Sequence, residues 1–344
     1  MRYTELGKTG MKISQLGFGA SSLGSVFHET KLNESIDAVE AAIEGGINFI
    51  DVSPYYGYYK AETVLGQALK NIPRDKYYLS TKVGRYGEDG HNTWDYSAER
   101  VTRSVYESME RLGIDFIDLI NVHDIEFQAA LPGGLQKVVD ETLPALFALK
   151  EKGLVGHVGI TDLQLKNLKW VVEQAPLSPP EGGTIDPMSR KTIVAPSGAE
   201  GGAWRTSIVE SILNFCHFCL CDDALADELD FFEQQGVGVV NASPLSMGLL
   251  SQRGVPAWHP APKPLVEACA RAAAFCNEKG YPIERLAMQY SVSNPRIAST
   301  LFSSANPKNV KRNIQWANEE PDWQLVQQVK DIIGDQQRVT WSNT

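Results

Sequence analysis

Four residues of this 344-residue chain could together move a proton and steady a reacting oxygen: Asp51, Tyr56, Lys82 and His123. A tyrosine phenol can give or take a proton. A lysine ammonium beside it favours the phenolate, an aspartate can hold that lysine charged and aimed, and a histidine can hydrogen-bond a hydroxyl or carbonyl. A free phenol titrates near pH ~10, too high to serve well at neutrality. At ~4 Å and an effective dielectric of ~20, an ammonium attracts a phenolate by about 4 kcal/mol before desolvation is subtracted. That attraction predicts a Tyr56 phenol drawn down toward neutral pH. Taken singly, Tyr56 reads as a turn residue, Lys82 as a strand-end charge, Asp51 as a helix cap and His123 as a satisfied polar group. Four such residues on one rim are hard to explain as packing.

The rim follows from the elements. Residues 47–53, 77–83 and 116–123 read as strands, and each delivers one or two of the four at or just past its C-terminal end. Helical patterns follow each strand. The helix over 33–44 stops at Gly45-Gly46. Another covers 62–69. A third covers 97–112, with Ser97 as N-cap, Val101, Val105, Met109 and Leu112 at helical spacing, and Gly113 as the stop. Further strands are expected at 15–20, 156–161, 208–215, 237–242 and 297–303. Helices are expected over 135–152, 163–174, 222–235, 265–279 and 283–294, with two more beginning at Pro307 and Trp323. Eight strands alternating with helices predict a (β/α)8 TIM barrel spanning 1–344 as a single domain, and catalysis in such a barrel sits at the C-terminal ends of the strands. Residues 3–14 read as a β-hairpin that plugs the bottom.

Residues 176–206 break the rhythm with a Gly/Pro-rich insertion. Lying between a helix and the next strand, it is expected on the bottom face, away from the catalytic rim.

Composition narrows the class. Hydrophobic residues are 43% of the chain and the longest apolar runs fall far short of a membrane span. The N-terminus carries no apolar signal segment, so the expected location is cytoplasmic. A net charge of −10 disfavours nucleic acid and anionic membranes as partners, and a monomer or weak homodimer is expected. Five cysteines in a cytosolic setting predict free thiols. Cys216, His217, Cys219 and Cys221 resemble a metal-ligand run. An extended strand would face Cys216 and His217 apart, so no metal is expected.

The segments Asp51 to Gly57, Ser80 to Val83 and Asp118 to His123 resemble the catalytic segments of the aldo-keto reductases. Residues 123–127, 243–250 and 258–261 narrow the resemblance to the branch that oxidises L-galactose. It runs from Leu6 to Asn313 apart from the insertion. It implies the (β/α)8 fold and NAD-dependent oxidation of L-galactose at C1 to the 1,4-lactone, a step toward ascorbate. A related aldose dehydrogenase or a general NAD(P)H-dependent aldehyde reductase is the alternative enzyme. A non-catalytic cofactor-binding subunit is the alternative of another class.

The resemblance also implies binding roles. Ser243, Leu245 and the backbone through Gly248 are expected at the cofactor pyrophosphate, and Ser303, Asn309 and Asn313 at its adenosine end. NADP-preferring relatives carry a lysine and an arginine where Ser303 and Asn309 stand, which leans this chain to NAD, although Lys308, Lys311 and Arg312 are near. Thr161, Asp162 and Asn214 are expected near the nicotinamide carboxamide. The chain has Thr161-Asp162 in place of a Ser-Asn pair, Leu213 with Asn214 beside it in place of a glutamine, and Ala242 in place of a stacking tyrosine. Expected sugar contacts are Tyr55, Trp94 in the loop 85–96, His123 and Asp124.

Overall fold

The structure is a computed structural model and describes residues 1–26, 28–88, 91–175, 184–185, 192–193, 207–256 and 258–342. Eight parallel strands close into a barrel: β1 (Leu16–Gly19), β2 (Phe49–Asp51), β3 (Tyr78–Val83), β4 (Ile117–Val122), β5 (Val155–Asp162), β6 (Ser211–Phe215), β7 (Gly238–Ala242) and β8 (Ser299–Ser303). They neighbour one another in chain order, and β8 closes on β1 with Phe302 opposite Phe18. All eight expected strands form, most of them trimmed by a residue or two at their ends.

Helices follow the strands: α1 (Leu32–Glu44), α2 (Lys60–Leu69), α3 (Ala98–Leu112), α4 (Leu143–Glu151), α5 (Leu165–Gln174), α6 (Leu229–Gln235), α7 (Lys263–Glu278), α8 (Ile283–Ser291), α9 (Pro307–Ala317) and α10 (Trp323–Ile333). The Ser97 hydroxyl caps α3 by accepting the N–H of Arg100, and Gly113 ends it at φ +68°. Val101, Val105, Met109 and Leu112 are buried along one face of α3. Each such side chain contributes roughly 1.5–3 kcal/mol when fully withdrawn from water. Two expected helices are altered. The one over 135–152 contains a π-turn, Val138–Thr142, just before Pro144, which has no N–H to give the turn behind it. The one over 222–235 opens as a 3-10 turn, Ala224–Glu228, before α6 begins.

Strand parity sorts the side chains. Phe18, Ile120, Val122, Val158 and Ile160 face outward onto the helices, in two outer clusters. Phe49, Leu119, Leu213, Val240 and Leu301 fill the lumen together with Leu6, Met11 and Ile13. Those last three belong to the N-terminal hairpin, Tyr3–Glu5 paired with Lys12–Ser14, which closes the bottom as expected. A second hairpin was not anticipated: Arg85–Glu88 pairs with His91–Trp94 within the stretch read as a loop beyond β3.

The insertion lies mostly outside the described residues. Within it, Thr184–Ile185 pairs antiparallel with Thr192–Ile193. Its described flanks are Ala175, after α5, and Ser207, before β6. No helix among the described residues is long and apolar enough to cross a membrane.

Candidate active site

The period of two that packs the lumen also aims the polar residues. Asp51 has the parity of Phe49, Lys82 that of Ser80, and His123 that of Leu119 and Asn121, so all three point inward above the apolar plug. Lys82 Nζ pairs with Asp51 Oδ2 and donates to the Val52 carbonyl at 2.8 Å. The other Asp51 oxygen accepts the Ser80 hydroxyl at 2.8 Å, and Ser80 in turn accepts the Asn121 amide at 2.9 Å. Residues on the next two strands thus hold one carboxylate. Thr81 points the opposite way and locks β3 to the helices. It donates to Glu62 at 2.6 Å, and Arg111 holds the other Glu62 oxygen at 2.6 Å.

Tyr56 comes from the turn after β2. Its ring centroid lies 5.0 Å from Lys82 Nζ and 5.7 Å from the His123 ring, nearly perpendicular to it. Backbone contact fixes that turn. Gly57 has φ +63°, and a Cβ there would fall 2.0 Å from the Gly24 carbonyl oxygen, so only glycine permits this approach. The His123 Nδ1 stands 2.9 Å from the Ser53 hydroxyl, and its Nε2 stands 3.6 Å from Asp124 Oδ2. The Tyr96 hydroxyl donates to the carbonyls of His123 at 2.7 Å and Asp124 at 3.0 Å, fixing the backbone beneath both side chains.

Burial dominates the protonation states. It pushes the His123 ring down to about 3, so the imidazole is neutral. It opposes the Lys82 charge, but Asp51 and Tyr56 outweigh it and hold the ammonium above the ordinary lysine range. Tyr56 corrects the sequence expectation. Burial raises its phenol above the ordinary value, and the attraction of Lys82 reduces that rise without reversing it. The sequence argument set the ammonium against a solvated phenol, whereas here the phenolate must also forgo its hydration.

The expected sugar contacts converge on the same mouth. The Tyr55 and His123 ring centroids are 6.0 Å apart. Trp94 stacks on Phe127 at 5.0 Å. Asp124 is buried, pairs with Arg85 and accepts the Thr161 hydroxyl at 3.1 Å. Ser53, Ser80, Arg85 and Asn121 were not singled out from sequence. Three of them have the lumen parity of the residues that were, and that parity is the signal that finds them.

The expected carboxamide contacts divide. Thr161 faces the lumen but serves Asp124. Asp162 and Asn214 are corrected, because alternation turns both to the outer side. Asp162 accepts the Gln164 N–H and the Asn167 amide, each at 2.9 Å, and burial raises its carboxyl well above the usual range. Asn214 donates to the carbonyls of Asp162 and Leu163 at 2.8 and 3.0 Å, while Leu213 takes the lumen position beside it.

Past β7 the backbone turns tightly: Ser243, Ser246, Met247 and Gly248 all have positive φ. The N–H groups of Ser243, Ser246 and Gly248 are given to the carbonyls of Leu301, Ser243 and Leu245, which fixes the turn. Leu245 packs half-buried against the outer core within it. Past β8, the Ser303 hydroxyl bonds that of Ser22 at 2.8 Å, and Asn306 caps α9. Asn309 accepts from Arg312 at 3.0 Å, with Asn313 one turn further along. The cysteines form no such site. Cys219 and Cys221 sulfurs are 3.5 Å apart, His217 bonds Asp222, and no group of three or more potential ligands converges on a metal position among the described residues.

A (β/α)8 barrel with a buried aspartate–lysine pair, a tyrosine and a neutral histidine on its C-terminal rim is the frame of an oxidoreductase. Residues 15–333 match the sequence profile described as the Aldo/keto reductase family, and the chain belongs to that family. It is 39% identical over 342 residues to the L-galactose dehydrogenase of Arabidopsis thaliana, covering 98% of this chain and 95% of that one. It is 32% identical over 293 residues to the D-arabinose 1-dehydrogenase of Saccharomyces cerevisiae, covering 82% of this chain and 76% of that one. Among solved structures, an aldo-keto reductase from Bacillus halodurans in its holo form superposes with a TM-score of 0.72 at 23% identity, covering 98% of this chain and all of that one, a likeness of fold. The chain is thus an oxidoreductase acting on CH–OH groups, of a family that binds nicotinamide cofactors.

Proposed function

We propose that this protein oxidises L-galactose at C1 to L-galactono-1,4-lactone with NAD, a step toward ascorbate. The observation that carries the reading is the buried rim cluster of Tyr56, Lys82, Asp51 and His123, beside an ionised Asp124 suited to polar substrates. The 39% identity to a plant L-galactose dehydrogenase supports the choice of sugar.

When bound, the nicotinamide supplies the acceptor for the hydride leaving C1. Neutral His123 donates from Nε2 to the reacting oxygen and orients it. Tyr56, as the phenolate that Lys82 stabilises, takes the hydroxyl proton and becomes the phenol. Asp51, braced by Ser80 and Asn121, keeps Lys82 charged and in place. The turns after β7 and the Ser22–Ser303 pair would hold the dinucleotide, with no cation at Ser303 or Asn309 to favour a 2′-phosphate.

The identity to a D-arabinose 1-dehydrogenase supports a second reading, an aldose dehydrogenase of another preference. A panel of aldoses including L-galactose and D-arabinose, each with NAD and NADP and followed by NAD(P)H absorbance, separates the two. The best kcat/KM is expected for L-galactose with NAD. Cofactor binding without turnover of any aldose would instead mark a binding subunit and end the proposal.

A further inference from the structure

Arg85 opens the rim hairpin and is clamped between two aromatic faces. Its guanidinium carbon lies 3.7 Å from the Tyr55 ring centroid and 4.5 Å from that of Phe127. One terminal nitrogen pairs with Asp124 Oδ2, while Nε is buried and has no hydrogen-bond partner among the described residues. Asp124 has φ +44°, a conformation that non-glycine residues seldom adopt and that costs strain. The turn folds its carboxylate back against His123, where Oδ2 is 3.6 Å from Nε2.

Such a pair is expensive to bury and adds little to stability over apolar neighbours of the same size. Its place explains it better than its strength does, because it stands beside the nitrogen that faces the reacting oxygen. Adjacent hydroxyls on a sugar ring stand about one hydrogen bond apart. With the C1 oxygen at Nε2, the C2 hydroxyl reaches Asp124 Oδ2.

We propose that the Arg85–Asp124 pair selects the substrate: Asp124 accepts the hydroxyl on the carbon next to the reacting one, and Arg85 positions that carboxylate while offering its Nε–H to a further oxygen of the same sugar. The substrate class is therefore aldoses with a free C2 hydroxyl, and 2-deoxy sugars and simple alcohols fall outside it. This inference rests on the aldose oxidation proposed above. Burial opposes the charge on Asp124, but Arg85 and the Thr161 hydroxyl favour the ionised form, which suits an acceptor of hydroxyl protons. If the pair merely pinned the hairpin, its loss would lower turnover of every sugar alike.

The test compares kcat/KM for L-galactose and 2-deoxy-L-galactose in the full chain, with NADH affinity by fluorescence titration as the check on folding. Wild type is expected to favour the 2-hydroxy sugar by ~10²-fold, the scale of a hydrogen bond to a charged group. Asp124→Asn should bring that ratio below ~10 through the larger loss on L-galactose. Arg85→Lys keeps the charge without the planar fork or stack, and its ratio should fall between the two. It also serves as the second test should Asp124→Asn fail to bind NADH. A wild-type ratio near one overturns the inference, as does an Asp124→Asn ratio equal to that of wild type. Oxidation without discrimination overturns this inference alone. No turnover of any aldose, with NADH still bound, overturns the parent reading as well.

Discussion

The Ser53 hydroxyl stands 2.9 Å from Nδ1 of His123 and already accepts the Tyr55 N–H at 3.1 Å. Its own hydrogen can therefore turn to Nδ1, which is then the acceptor nitrogen of the neutral ring. The ring proton belongs on Nε2, facing the Asp124 carboxylate 3.6 Å away. The network, rather than an observed hydrogen, assigns this tautomer. It is the one that lets His123 donate to a reacting oxygen.

Ser53→Ala removes that selection and leaves the ring buried. We expect kcat to fall ~10-fold, the worth of one well-placed hydrogen bond. Ser53→Thr keeps the hydroxyl and should recover part of the loss. Equal losses in the two variants would remove Ser53 from the mechanism.

Tyr56→Phe keeps the ring and deletes the proton acceptor, so kcat should fall ~10² or more while NADH affinity is retained. The phenol of Tyr56 is raised by burial and eased down by Lys82, so its deprotonated fraction grows as pH rises. Wild-type kcat for sugar oxidation should therefore climb from neutral toward alkaline pH. Lys82→Met removes the easing charge and should move the climb to higher pH as well as lower it. A kcat profile flat from pH 7 to 10 contradicts this assignment.

His123 titrates at about 3 in the folded chain and near ~6.5 when unfolded. Between those values the unfolded chain binds a proton that the folded one refuses. Stability from this group is thus complete above pH ~6.5 and declines as pH falls toward 3, by about 2 kcal/mol at pH 5. Urea midpoints at pH 7 and pH 5 for wild type and His123→Gln measure it by difference. The variant should lose less on acidification, and equal losses would mean His123 is not held neutral.

Much of the barrel is legible because strand and helix periods differ and the turns carry clear stops such as Gly45-Gly46 and Gly113. The rim tetrad is legible because strand ends mark it. Other features depend on what lies across the barrel. Nothing in Tyr56 or Lys82 alone reports how much water their shared site excludes, and that exclusion reverses the net direction of the phenol. Asp162 and Asn214 align with a binding pattern, yet one residue of parity turns each outward. Arg85 reads as an ordinary loop cation until the hairpin folds it between Tyr55 and Phe127.

Cofactor choice rests on absent cations. Neither Ser303 nor Asn309 is itself a cation: Ser303 is engaged with Ser22, and Asn309 accepts from the Arg312 guanidinium at 3.0 Å. We expect a higher kcat/KM with NAD than with NADP. Parity between the two would transfer phosphate recognition to Lys308, Lys311 or Arg312, and Arg312→Gln would then restore the preference for NAD.

The insertion is the last test, since its ends fix its face. It leaves α5 after Gln174 and returns at Ser207, ahead of β6, so it joins a helix end to a strand start. In a parallel barrel such connections lie on the face opposite the catalytic rim. Just past its return, Ile208 and Val209 are buried in the outer core, and Glu210 accepts from Lys150 at 2.6 Å and pairs with His157 at 2.8 Å. All of these residues lie outside the segment to be removed. Loop length itself contributes little to stability, because each doubling costs only ~0.6 kcal/mol of closure entropy. Replacing residues 178–204 with a short Gly-Ser turn should leave kcat and KM for the sugar within about twofold, and the urea midpoint nearly unchanged. A large loss of turnover would mean that the segment reaches round to the rim. A large loss of stability with turnover intact would mean that it docks on the barrel and contributes to its core.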